Sequence, residues 1–244
     1  MADETRTMAS RSTDPAGGAQ AGQTRPERRK NVDRSASTRR QILEATIQCL
    51  DTWGYGAVTN IKVADAAHVS RGAMMHHFPT RQALIIATVE YAHEKLNQIR
   101  AEEMAKFPPG LDRYRHIMDL SMETQRIPAG MALNEIRIGS RSDPEIREAV
   151  TPMMSAISED YRRLVGRVAR EAGLKPNREL HGLTGAVAMA TRALAINTFT
   201  YPSPQASEGV LWTLQMARED LIARQLGKDK AKYPAPLPEI TRQG

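Results

Sequence analysis

The sequence predicts an all-α protein, and three observations support this fold class. Apolar residues recur every three or four positions through most of the 244 residues, as in helices with one buried face. Glycine and proline separate these periodic stretches, and no stretch shows the apolar-polar alternation typical of a strand. The length and the 41% hydrophobic content correspond to one or two globular domains.

Residues 1–34 consist of Gly, Ser, Pro, Thr and charged residues, with almost no large apolar side chain. Such a composition cannot bury a core, so we predict a disordered basic arm. Seven basic residues lie between positions 25 and 40, namely Arg25, Arg28, Arg29, Lys30, Arg34, Arg39 and Arg40. The whole chain has a net charge of +6. The concentration of positive charge in this segment favours an anionic partner.

The first helix is predicted to begin near Arg39, where Ser37 or Thr38 can cap it. Its buried stripe consists of Ile42, Leu43, Thr46, Cys49, Leu50 and Trp53. Gly54 follows the last of these residues and is the predicted C-terminal stop.

Residues 59–84, TNIKVADAAHVSRGAMMHHFPTRQAL, predict two short helices joined by a tight turn over residues 67–69, and then a longer helix. Thr59 or Asn60 caps the first short helix, and Ser70 caps the second. The outward face of the second helix consists of Arg71, Gly72, Ala73, Met75 and His76. A short basic face of small residues, held by another helix, is what entry into the DNA major groove requires. We therefore predict a helix-turn-helix DNA-binding domain over residues 35–80.

The remaining chain predicts a second helical domain over residues 81–227, followed by a charged C-terminal tail over residues 228–244. A long connecting helix starts after the predicted cap Thr80 and runs to about residue 105. Proline, glycine and capping residues then divide the chain into helices at about 111–126, 130–141, 144–172, 177–200 and 205–226.

Composition and motifs exclude several classes of protein. No apolar run approaches the ~18 residues of a membrane span, and the N-terminus lacks the apolar segment of a secretory signal. Cys49 is the one cysteine and cannot form an internal disulfide, which fits a reducing cytoplasm. Because no phosphate loop or nucleophile motif is visible, neither an enzyme nor a cofactor is predicted. No metal site is predicted from His68, His76 and His77, since no carboxylate or cysteine stands at ligand spacing.

A set of residues at fixed spacing between positions 38 and 90 carries a family resemblance. The set consists of Ile42 to Ala45, Trp53-Gly54-Tyr55, Thr59, Val63-Ala64, Ala67, Val69 to Ala73, His76 to Pro79 and Ala83-Leu84. In these residues the chain resembles the TetR (tetracycline-repressor-like) family of bacterial transcriptional regulators. The resemblance implies an all-helical homodimer with an N-terminal DNA-binding domain and a C-terminal ligand-binding domain. It also implies release from DNA when a small molecule binds.

Three positions depart from the family pattern. His68 replaces the usual turn glycine, and we expect it to adopt a positive φ, which His tolerates better than most residues. Met75 replaces the usual tyrosine that contacts a phosphate, which puts that contact in doubt. Asn60 replaces an apolar residue, and we expect it to serve as a cap.

The predicted DNA contacts lie on the second short helix and around it. Arg71 is the candidate for a base-edge contact, because arginine pairs bidentately with guanine. Basic and hydroxyl side chains around it are candidates for phosphate contacts. The full set is Arg39, Arg40, Thr59, Ser70, Arg71, Gly72, Ala73, Met75, His76, His77 and Arg81. Two alternatives stay open: His77 packs against Phe78 instead, and the basic arm contacts no DNA.

The predicted effector site lies among methionine-rich helices of the second domain, because methionine lines adaptable apolar cavities. Its candidate residues are Met118, Met122, Met131, Asn134, Arg137, Ile138, Met153, Met154, Ile157, Met189 and Arg192. The alternative for each methionine is ordinary core filling. Arg137 and Arg141 could form a surface pair near Asp143, whereas an inward-pointing arginine would require an anionic ligand.

Small residues over positions 181–198 and an apolar stripe over positions 210–222 predict a helical dimer interface. Taken together, the sequence predicts a cytoplasmic, ligand-responsive transcriptional regulator that binds a palindromic operator as a homodimer, with repression favoured over activation. Its expected partners are double-stranded DNA and a small, largely apolar effector, which is anionic if an arginine points inward, and no membrane. A ligand-independent DNA-binding protein and a helical enzyme are the alternatives.

Overall fold

The computed structural model describes residues 25–199 and 204–227, with side chains from residue 33 onward. These residues form nine α-helices, and within them no strand occurs, so the all-α prediction is confirmed. The helices are α1 (Arg25–Trp53), α2 (Asn60–Ala66), α3 (Arg71–His77), α4 (Arg81–Ala105), α5 (Leu111–Arg126), α6 (Pro128–Gly139), α7 (Pro144–Glu171), α8 (Arg178–Asn197) and α9 (Pro204–Leu226). A short 3-10 helix covers Tyr55–Ala57.

The first helix is longer than predicted. It begins at Arg25 and not after Ser37 or Thr38, so residues 25–34 are helical where a disordered arm was expected. Pro26 lies in the first turn, where its missing N–H costs nothing, and strong helix formers follow it. Residues 1–24 of the predicted arm and the predicted tail over residues 228–244 lie outside the described residues.

A capping side chain sets the start of each of the next three helices. For α3 and α4 the sequence predicted a single cap, whereas for α2 it offered two candidates. The Ser70 hydroxyl accepts a hydrogen bond from the N–H of Ala73 at 3.1 Å, and the Thr80 hydroxyl accepts one from Ala83 at 3.0 Å. Thr59 caps α2 in the same way. Each cap satisfies one of the N–H groups that a helix N-terminus leaves without a partner.

Two departures from the family pattern have structural explanations. His68 has a φ of 51°, as expected for the turn between α2 and α3. Asn60 is the first residue of α2 and not its cap, which corrects our expectation. Its amide instead donates to the carbonyl of Phe78 at 3.3 Å, and this bond ties the start of α2 to the end of α3.

One apolar core joins the helix-turn-helix segment to the second helical segment. Ile42, Leu50 and Phe78 belong to the same buried cluster as Ile136 of α6 and Val150 of α7. The described residues from Thr38 onward form one compact unit. A second core lies among α5, α7, α8 and α9. The predicted domain boundary near residue 80 therefore does not separate two independent cores.

Trp53 lies outside these cores, which corrects its predicted place in the buried stripe of α1. Its side chain is 50% exposed, and the ammonium group of Lys62 lies 5.5 Å from its ring centroid. Trp53 is the last residue of α1, where the helix leaves the core and the chain turns at Gly54.

Candidate nucleic-acid interface and ligand cavity

Helix α3 presents most of its predicted DNA contacts to solvent. Arg71, Gly72, Met75 and His76 are exposed, and Ala73 is partly exposed. Met74 points the other way and is buried in the core, so it anchors the helix. The exposed face therefore combines a long cation with a glycine and small or flexible side chains, a surface that can approach base edges closely.

The capping residues Thr59 and Ser70 are also exposed at the starts of α2 and α3. Each hydroxyl oxygen accepts a backbone hydrogen bond, at 3.3 Å from Lys62 and 3.1 Å from Ala73 respectively. The hydroxyl hydrogens are not used by these bonds, so both groups can still donate to a phosphate oxygen.

Arg39 and Arg40 are exposed on α1, and Arg39 lies close to the end of α3. The Arg39 guanidinium lies 5.1 Å from the Phe78 ring centroid, within the range of a cation–π contact. Burial lowers the pKa of His77, and the positive charges of His76 and Arg39 lower it further. The surroundings of His77 in the protein therefore disfavour its charged form.

Arg81 is engaged by partners within the protein, which argues against its predicted phosphate contact. Its Nε donates to the carbonyl of Val58 at 3.2 Å, and its Nη2 donates to the carbonyl of Tyr55 at 3.0 Å. Its Nη1 donates to the Tyr55 hydroxyl at 2.8 Å and lies 3.4 Å from Oδ2 of Asp143. The guanidinium carbon is 4.1 Å from the Tyr55 ring centroid, so Arg81 is committed within the protein.

Tyr55 joins the helix-turn-helix segment to α6 and α7, and we call Tyr55, Arg81, Glu135, Gly139 and Asp143 the Tyr55 junction. The Tyr55 hydroxyl donates to Asp143, the N-cap of α7, at 2.8 Å. The Tyr55 N–H donates to Oε2 of Glu135 at 3.0 Å. A Cβ atom at Gly139 would lie 2.0 Å from the Tyr55 ring, so this close approach requires glycine. The junction therefore connects the DNA-binding segment directly to the second domain.

A cavity of about 590 Å³ lies between α4, α5, α6, α7 and α8, a size typical of small-molecule sites. Six of the predicted effector residues line it, namely Asn134, Arg137, Met154, Ile157, Met189 and Arg192. Met189 is nevertheless 70% exposed, so it lies at the edge of the cavity.

Five predicted effector residues lie elsewhere. Met118 and Met122 line a smaller crevice of about 180 Å³ between α5, α8 and α9. Met131 and Met153 pack in the protein interior without lining the larger cavity, and Ile138 is 42% exposed. Methionine content identified the correct helices, but the rotation of each helix decides which of its residues reach the cavity.

Arg137 has few partners for a buried guanidinium. Its Nη2 donates to the thioether of Met154 at 3.2 Å, and its Nε is buried without a hydrogen-bond partner among the described residues. Burial lowers its pKa to about 10, with a further contribution from the charge of Arg192. The pKa of Arg192 is also lowered by burial. The two arginines thus place unpaired positive charge in the cavity.

Sequence reasoning missed several residues of the cavity wall, including Arg100, Tyr161 and His181. Arg100 is buried, and its guanidinium lies 5.3 Å from the Tyr161 ring centroid. A signal for Arg100 was present in the sequence, because Ala92, Leu96 and Arg100 follow one another at four-residue spacing on the buried face of α4.

Within the described residues, no helix has the length and apolar content of a membrane span. No group of three or more His, Cys, Asp or Glu residues in the same part of the chain could hold a metal ion.

The architecture defines a helix-turn-helix protein with a cavity-containing helical second segment. Residues 42–88 match the TetR_N family, bacterial regulatory proteins of the tetR family. The chain is 30% identical over 125 residues to the HTH-type transcriptional regulator CymR of Pseudomonas putida, covering 51% of this chain and 62% of CymR. It is 26% identical over 143 residues to the HTH-type transcriptional repressor AcnR of Corynebacterium efficiens, covering 59% of this chain and 72% of AcnR.

The crystal structure of a TetR transcription regulator from Haloarcula marismortui has the same fold, with a TM-score of 0.60 at 18% identity over 77% of this chain and 98% of that one. The sequence similarity to the tetR family thus covers residues 42–88, and the similarity to the solved structure covers the fold. The match spans less than two thirds of the length of CymR.

Proposed function

We propose that this protein is a ligand-responsive transcriptional repressor that binds a palindromic operator as a homodimer and is released by a small, largely apolar molecule. The observation that carries the proposal is an exposed α3 face in the same compact unit as a cavity of about 590 Å³. A protein that only packaged DNA would not require such a cavity. The buried thiol of Cys49 fits a reducing cytoplasm as its location.

The DNA contacts that we propose are the exposed predicted residues, without Arg81. Arg71 reads a base edge, because its side chain is exposed at the first position of α3. The surrounding group positions the helix on phosphates and close to the groove floor. This group consists of Arg39, Arg40, Thr59, Ser70, Gly72, Ala73, Met75, His76 and His77.

The homodimer that we propose forms through α8 and α9. Gly182, Ala186, Met189 and Ala193 are all exposed on α8, and their spacing of three or four residues places them on one face. Val210 of α9 is also exposed. Small residues allow close helix packing, and a two-fold protein matches the symmetry of a palindromic operator.

Binding to the DNA upstream of its own gene, with and without candidate effectors, tests the proposed function. We expect a gel shift of the wild-type protein at nanomolar to micromolar concentration, and reversal of the shift by an effector. The variant Arg71→Ala should lose about 1–3 kcal/mol of discrimination at one base position while its circular dichroism stays unchanged.

Two outcomes would contradict the proposal. Sequence-specific binding that no small molecule changes would favour the ligand-independent alternative. If Arg71→Ala keeps the sequence preference of the wild type in competition binding, then Arg71 does not read a base.

A further inference from the structure

The cavity between α4 and α8 has an excess of positive charge. Its lining includes four arginines, namely Arg100, Arg137, Arg162 and Arg192. Among the described lining residues, Glu159 is the one carboxylate, and it already accepts hydrogen bonds from Arg162 and Arg163. The three other guanidinium groups therefore have no carboxylate partner in the cavity wall.

Arg137 has an incomplete set of hydrogen bonds. Its Nε is buried without a partner among the described residues, and the acceptor of its Nη2 is a thioether, which accepts hydrogen bonds weakly. Arg192 lines the same cavity, and in the described part of the chain no carboxylate lies within 4.0 Å of either guanidinium. Burying a cation without an anion is costly, so an anion that enters the cavity gains a strong interaction.

Part of the remaining wall is suited to an apolar body. Leu96, Leu133, Val150 and Ile157 contribute apolar side chains from α4, α6 and α7. Polar side chains also line the cavity, including Asn134, whose amide donates to Gln125 at 3.1 Å. A ligand that fills this space is therefore expected to carry an apolar body beside the group that meets the arginines.

We propose that the effector is a small organic acid whose carboxylate binds Arg137 and Arg192 and whose apolar body packs against the α4, α6 and α7 wall. This inference rests on the proposed function, since it names the ligand class of the same cavity. A guanidinium presents parallel N–H donors that match the two oxygens of a carboxylate, so Arg137 supplies geometric selectivity as well as charge.

Calorimetric binding of matched acids and amides to the full-length protein tests the proposal. The probe pairs are naphthalene-2-carboxylate with naphthalene-2-carboxamide, and decanoate with decanamide, because each pair has nearly the same shape and differs in charge. We expect at least one acid to bind about tenfold or more tightly than its amide, as charge-assisted bonding favours the carboxylate. In Arg137→Met this ratio should fall to about one, and Arg137→Lys should retain part of it.

Arg162→Met is the matched control. It removes a positive charge from the same cavity wall, but that charge is already paired with Glu159, so the acid preference should persist. Thermal unfolding of each variant shows that it is folded, and Arg137→Lys decides the outcome if Arg137→Met does not fold.

The proposal is overturned if no acid binds more tightly than its amide to the wild type. It is also overturned if the acid preference survives in both Arg137→Met and Arg192→Met. A gel shift with operator DNA and no added acid or amide separates rejection of the ligand class from rejection of the proposed function. Retained operator binding without acid preference rejects the ligand class alone, whereas loss of specific DNA binding in the wild type rejects the proposed function.

Discussion

The Tyr55 junction and the cavity each contain a partly buried arginine, but the two arginines have opposite surroundings. Arg81 donates to the carbonyl and hydroxyl of Tyr55 and pairs with Asp143. Arg137 donates to the thioether of Met154 and keeps an unpartnered Nε. A guanidinium whose donors are satisfied internally holds structure together, whereas one left without an anion is available to a ligand.

Helix α6 connects these two regions. Glu135 and Gly139 of α6 contact Tyr55, and Asn134 and Arg137 of the same helix line the cavity. A ligand that shifts α6 would therefore act on the Tyr55 junction without an intermediate element. Differential binding to two arrangements of α6 is what the proposed release from DNA requires.

The largest change in stability is expected when Arg81 is replaced. Arg81→Met removes four hydrogen bonds and leaves Asp143 without its cation, so we expect the free energy of unfolding to fall by about 2–3 kcal/mol. Urea denaturation measures this change. Arg40→Ala, at an exposed position on α1, should change stability by less than about 0.5 kcal/mol. Equal stability of Arg81→Met and wild type would show that the junction does not hold the structure together.

The second effect tests the close contact of α6 with Tyr55. In Gly139→Ala the new methyl group would lie 2.0 Å from the Tyr55 ring, and the resulting displacement should cost about 1–3 kcal/mol. Gly72→Ala is the matched control, because the nearest atom to its methyl group is Oγ of Ser70 at 3.8 Å. That variant should gain up to about 1 kcal/mol of stability from helix propensity. A neutral Gly139→Ala would mean that α6 can move freely relative to Tyr55.

The third effect has the opposite sign and concerns the cavity. Arg137→Met replaces a poorly paired cation with an apolar side chain of similar length, so we expect a gain of about 1–2 kcal/mol in the free energy of unfolding. The urea midpoint should rise while the denaturant slope stays constant. If Arg137→Met instead destabilises the protein as much as Arg81→Met does, both arginines hold the structure together, and the contrast between them is rejected.

The smallest effect is the pH dependence of the Tyr55 junction. The backbone N–H of Ile146 and the Tyr55 hydroxyl both donate to Asp143 and hold the pKa of its carboxyl below its ordinary value. A lowered folded-state pKa contributes stability above the ordinary value, about 4, and this contribution disappears as the pH falls through the folded-state pKa. The wild type should therefore lose more stability than Asp143→Asn between pH 6 and pH 3 in urea titrations. Parallel curves for the two proteins would exclude a role for the Asp143 charge.

Sequence reasoning succeeded where short-range interactions decide the structure. Ser70 and Thr80 were predicted as caps, and His68 was predicted to take a positive φ, because these features depend on residues within a few positions. The start of α1 was predicted wrongly, since the charged stretch after Pro26 was interpreted as a disordered arm although it can continue a helix. The outward residues of α3 were predicted from helical spacing, and the structure leaves them wholly or partly exposed while Met74 is buried.

The amino-acid sequence by itself determined the helices and the helix-turn-helix, because periodicity, caps and motif spacing are local properties. Only the tertiary structure decided that Arg81 points inward to Tyr55, that Met118 and Met122 lie outside the larger cavity, and that Arg137 lies in its wall. These outcomes depend on how each helix is rotated and tilted against helices distant in the sequence. Such contacts are set by packing of the whole core, which no local pattern specifies.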